Sequence, residues 1–237
     1  MALLSTDSGG AGFEPVPAGS YVARCISVID LGVQPTGFGD KEKVYIGWEI
    51  PAERVEWEKD GQKHEGPALI GSRYTNSIHE KSILGQQLLS WRGVPFTDEE
   101  RQGFDLFSVL GAPCMINVTH TEKNGKTYAN VVAVMRLPKG TDCPPAETDL
   151  IAYSPMDETT SGNFSKLPEW QQKLVRAGYK MAEGSDIVGS ATAAQAQAGG
   201  PVASGQPAPQ HQTAAEKMQA AMDAQKDDDS FDDDIPF

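Results

Sequence analysis

Beyond residue 183 the chain almost runs out of large apolar residues, and this break limits how much of it can build a core. The stretch "GSDIVGSATAAQAQAGGPVASGQPAPQHQ" (184–212) is Gly, Ala, Ser, Gln and Pro with little else. Ordering a backbone costs roughly 1–2 kcal/mol per residue, and such a segment buries too little to offset that. Residues 184–226 are therefore read as a flexible Gly/Ala/Gln/Pro linker. Within it "TAAEKMQAAMDAQK" (213–226) is Ala-rich and reads as a transient helix, marginal alone at fourteen residues. Residues 227–237, "DDDSFDDDIPF", form an acidic tip. Any core must come from residues 1–183.

That body reads as strands with one helix inserted. "SYVARCISVIDLGV" (20–33) is β-branched and apolar. "KVYIGWEI" (43–50) alternates, with Val44, Ile46, Trp48 and Ile50 on one face and Lys43, Tyr45, Gly47 and Glu49 on the other. "ALIGSRYTNSI" (68–78) is a third strand. "HEKSILGQQLLSW" (79–91) has helical spacing, placing Ile83, Leu84, Leu88 and Trp91 on one face. "APCMINVTH" (112–120) and "KTYANVVAVMRL" (126–137) flank Asn124-Gly125, a type I′ hairpin signal. The order strand-strand-strand-helix-strand-strand predicts a mainly β OB-fold, a five-stranded Greek-key barrel with its helix between strands 3 and 4. A C-terminal helix is expected over 167–184, from Pro168 to Gly184, with Trp170, Leu174 and Tyr179 docking back on the barrel. A disordered acidic tail follows.

Composition narrows the function. The net charge is −13; residues 191–237 carry eight acids against Lys217 and Lys226, so the body is acidic too. A nucleic-acid binder normally shows a basic footprint, so any such surface must be local. No run of eighteen apolar residues exists to span a membrane, and "MALLSTDSGG" lacks the basic start of a secretory signal. The expectation is a cytoplasmic protein without a membrane partner. Cys25, Cys114 and Cys143 are far apart and form no CxxC pair, so they read as small buried hydrophobes. His64, His79, His120 and His211 are scattered, "SIHEKS" is not HExxH, and no GxxxxGK[ST] occurs. "TDEE" (97–100) reads as a solvated helix start. No catalytic residue, metal or cofactor is expected, and the chain is read as a non-enzyme.

The last residues have a chemistry of their own. Phe237 carries a ring and the terminal carboxylate on one residue, a pair that fits a small apolar pocket with a basic rim. Asp232, Asp233 and Asp234 add long-range attraction, and Ile235-Pro236 an extended apolar approach. "FDDDIPF" resembles the C-terminal tip of bacterial single-stranded DNA-binding proteins, in which a Gly/Gln/Pro-rich linker joins such a tip to an OB-fold. The body has no residue-level match to that protein; it looks more like the divergent single-stranded DNA-binding proteins of tailed bacteriophages. The resemblance implies binding to single-stranded DNA, with recruitment of host or phage replication, recombination and repair proteins through the tip. It carries over neither oligomeric state nor DNA path, so homo-oligomerisation stays open.

Sequence-tolerant binding of single strands needs aromatic faces for bases and cations along the backbone. In an OB-fold these belong on the face of strands 2 and 3 and on two loops. The candidates are Phe38, Lys41, Lys43 and Tyr45, then Arg73 or Tyr74, whose side chains point to opposite faces, and finally Lys123, Lys126 and Tyr128 around the hairpin. The rival reading is an interaction protein that binds no DNA and mimics the host tip to occupy replication and repair enzyme pockets.

Overall fold

The computed structural model describes residues 14–59 and 61–181; the linker and the tip lie outside them. The chain is mainly β. β1 (Gly19–Thr36), β2 (Gly39–Lys59) and β3 (Gln62–Thr75) form consecutive antiparallel hairpins, followed by α1 (Ile83–Arg92), α2 (Asp98–Gln102) and a 3-10 turn at Leu106–Val109. β4 (Pro113–Lys123) and β5 (Lys126–Met135) make another hairpin; β6 (Ile151–Tyr153), a second 3-10 turn (Ser161–Lys166) and α3 (Glu169–Gly178) complete the described chain.

The main path of the sheet is β3-β2-β1-β4-β5. β1 serves two partners: Gly19–Arg24 pair with β4 and Arg24–Thr36 with β2. One long strand shared in this way curls the sheet, and its two outer strands, β3 and β5, approach each other. β6 adds in parallel to Ser27–Ile29.

The alternation in β2 behaves as its sequence requires. Val44, Ile46, Trp48 and Ile50 enter the main core with Ile70 and Tyr74 of β3, Ile116 and Val118 of β4, and Leu84, Leu88 and Trp91 of α1. The strand runs past Ile50, where it was expected to end, because an irregularity between Ile50 and Arg54 takes Pro51 out of the ladder. The β4–β5 turn is tight, with Asn124 and Gly125 at φ 53° and 74°. Thr97 and Glu100 form a capping box on α2, in line with the polar start read at 97–100.

Two expectations for the helices need correction. Residues 79–82 form a loop, and α1 begins at Ile83 with Ser82 as its N-cap, accepting from Gly85 N–H. Ile83 is 49% exposed and does not share the core face of Leu84, Leu88 and Trp91. α3 ends at Gly178, short of Gly184. Among the described residues, no helix is long and apolar enough to cross a membrane.

Candidate nucleic-acid interface

The face of β2 opposite the core carries Lys43, Tyr45, Gly47 and Glu49, and the β2–β3 ladder sets Tyr45 against Arg73 and Lys43 against Thr75. Much of this face is covered by the chain that follows β5. Arg24 fastens that segment near its start: Nε donates to Pro144 O (2.8 Å) and Nη2 to Cys143 O (2.7 Å), while Nη1 donates to Gly111 O just before β4 (2.6 Å). The fully buried Glu49 carboxylate accepts from Glu147 N–H (3.0 Å) and Thr148 N–H (2.8 Å). Farther on, Phe164, Leu167 and Val175 build a second apolar cluster with Ile29, Leu31, Tyr45 and Tyr153. Tyr179 Oη and Ser154 Oγ both donate to Asp30 Oδ2, at 2.6 and 2.9 Å. Gly32 completes the fit: at φ +68° it suits glycine, and a Cβ there would meet the Tyr179 ring at 2.7 Å.

This covering corrects the first stacking candidate. Tyr45 is only 9% exposed. Its ring lies across Gly71, beside Gly47, and Trp170 of α3 meets it edge-on with centroids 5.3 Å apart. Burial pushes its hydroxyl pKa well above the ordinary tyrosine value. Trp170, Leu174 and Tyr179 do pack back as their sequence suggested, but onto the face expected to receive bases. Tyr74 is also core: its hydroxyl donates to Gln87 Oε1 (2.7 Å), and its ring meets Trp48 at a right angle. Of the Arg73–Tyr74 pair, Arg73 is the residue on the outer face.

The remaining candidates separate into two groups. At the far end of β1, the β1–β2 turn presents Phe38, 49% exposed, with Lys41 exposed and Lys43 half-buried just beyond. Lys43 Nζ donates to Thr75 Oγ1 (3.1 Å), joining this turn to the end of β3, where Arg73 lies half-buried. The second group is the β4–β5 turn, where Lys123 pairs with Lys126 and the half-buried Tyr128 faces Thr121. Val118 pairs with Gly19, so this turn lies beyond the opposite end of β1. The register thus places the cations at two ends of the curled sheet, not in one cluster.

One exposed aromatic escaped sequence reasoning. Trp57, 36% exposed, stands opposite His64 on the β2–β3 arm, with nearly parallel rings 5.8 Å apart. The signal was available as continued alternation through Val55 and Trp57, but Pro51 disguised it as a strand end. The acids Glu56, Glu58 and Glu65 also lie on this arm, and Arg54 bridges Glu65 (3.1 Å) and Glu147 (2.7 Å). Among the described residues, no group of three His, Cys, Asp or Glu side chains could hold a metal ion. Burial raises the thiol pKa of Cys25, Cys114 and Cys143, Cys25 to about 12, which keeps these thiols protonated and unreactive at neutral pH. The arrangement can offer an exposed ring and several ammonium or guanidinium groups to a flexible anion.

No protein-family model matches the chain, and no curated protein matches its sequence.

Proposed function

We propose that this chain is a single-stranded DNA-binding protein of the bacteriophage type, built on an OB-fold, that coats exposed strands and recruits replication, recombination and repair enzymes through its C-terminal tip. The observation that carries the reading is the stretch "FDDDIPF" (231–237), together with a mainly β body. The element order, the sharing of β1 between β2 and β4, and the helix between β3 and β4 support the OB-fold assignment. Phe38, Lys41, Lys43 and Arg73 supply the stacking ring and the backbone cations at one rim. Binding is stoichiometric and involves no bond chemistry. Because the protein as a whole is acidic, attraction to DNA is confined to these local groups and falls steeply with added salt.

A second reading keeps one observation in its favour: the segment after β5 covers Tyr45 and with it part of the face on which an OB-fold receives DNA. A protein that only presents the tip to host enzymes has no need of that face. Fluorescence anisotropy of labelled oligo-dT with the full chain, at low and moderate salt, separates the two. Binding at low salt that weakens with salt is the expected result. No change in anisotropy at any salt concentration would leave the tip-mimic reading in place.

A further inference from the structure

The loop between β3 and α1, residues 76–82, is held more firmly than a surface connection requires. Asn76 N–H donates to Glu42 O (2.8 Å) and Ser77 N–H to Thr75 O (2.8 Å). His79 N–H donates to Ser77 Oγ (3.3 Å). The Ser82 hydroxyl lies 2.6 Å from Ser77 O and 2.7 Å from His79 O, and accepts from Gly85 N–H (3.0 Å). The loop also rests directly on the first turn of α1, for a Cβ on Gly85 would lie 2.5 Å from His79 O.

One of these bonds fixes the chemistry of a side chain. Lys81 N–H donates to His79 Nδ1 (3.2 Å). A backbone N–H can only donate, so Nδ1 accepts in this contact and Nε2 carries the N–H. His79 is exposed, so the loop presents a directional N–H donor at the surface. It lies four residues beyond Thr75, the partner of Lys43 Nζ, and six beyond Arg73; Lys81 is exposed on the same loop. Glu42 and Glu80 lie among these cations and offset part of their charge, so a directed donor adds to what charge alone supplies.

We propose that His79 is a phosphate-contact residue for single-stranded DNA: its Nε2–H donates to a phosphodiester oxygen where the strand crosses the start of β2 and the end of β3, with Lys81 supplying charge beside it. This rests on the DNA-binding reading and adds a contact on the β3–α1 loop, outside the face and turns named above.

The test uses the full chain, labelled oligo-dT and three variants. His79→Asn keeps an amide group near the Nδ1 position, so it can hold Lys81 N–H, but it removes the outer donor. His79→Gln restores an N–H near the Nε2 position. The expected result is that His79→Asn binds about tenfold more weakly, as loss of one hydrogen bond to a charged group implies, while His79→Gln stays close to wild type. Charge is read separately, from the slope of log K against log salt. Lys81→Gln should lower that slope by about 0.7, the share of one phosphate on a single strand. Melting temperatures of all three should match wild type. Equal affinities for His79→Asn and wild type would overturn the proposal, as would a fall in melting temperature that accounts for the lost binding. If the wild type binds no oligo-dT at all, the DNA-binding reading fails and this contact fails with it; wild-type binding that is indifferent to His79 removes this contact alone.

Discussion

Replacing Tyr45 and Phe38 by alanine should have opposite consequences, although both were drawn from the sequence as stacking residues. Tyr45 is 9% exposed and packs between the Gly47–Gly71 strip of the sheet and the edge of Trp170. Truncating a buried aromatic costs about 3–5 kcal/mol, the lost transfer energy plus the cavity left behind. For a folded unit of this size each kcal/mol lowers the melting temperature by about 2–4 °C, so Tyr45→Ala should melt about 6–20 °C below wild type. Phe38 is 49% exposed at the tip of a turn. Its removal should stay within about 0.5 kcal/mol in stability, yet remove a base stack worth about 1–3 kcal/mol, which is roughly 5- to 150-fold in affinity. The assay is thermal melting by circular dichroism beside oligo-dT anisotropy at fixed salt. A Tyr45→Ala protein that melts within about 2 °C of wild type would refute the packing account and return Tyr45 to the surface. A Phe38→Ala protein with unchanged affinity would remove the β1–β2 turn from the interface.

Gly71→Ala should destabilise by about 1–3 kcal/mol in thermal melting, because the new methyl would occupy the space of the Tyr45 ring; a neutral result would mean that the ring has somewhere else to go. Glu49→Gln should cost about 1–3 kcal/mol, since an amide offers one oxygen where two N–H groups now find acceptors, and limited proteolysis should cut sooner near residues 143–148. Deleting Phe237, or appending one glycine after it, should abolish recovery of replication and repair proteins from bacterial lysate while leaving oligo-dT binding intact. Equal recovery by all three chains would reduce the tip to a solubility tail.

Local chemistry settled much of this molecule before any long-range contact formed. The alternation of residues 43–50 assigns Trp48 to the core because a pleated strand offers only two faces and one of them is apolar. Asn124-Gly125 forces a tight turn because both positions take positive φ. Ser82 and Thr97 start helices because their oxygens reach N–H groups three residues on. Period 2 cannot say what covers the second face. Tyr45 and Tyr74 look equally suited to stack a base, and both are buried: Tyr74 by α1, which is near in sequence, and Tyr45 by Trp170, which is 125 residues away. The helical spacing of residues 169–178 announces an apolar stripe, but not the surface that will receive it. That choice depended on the curl of β1, on Gly47 and Gly71 leaving a flat strip for the ring, and on Arg24 and Glu49 fastening the returning chain. Each of these is a contact between segments with no local pattern in common, so only the tertiary structure decided which side of the sheet remained open.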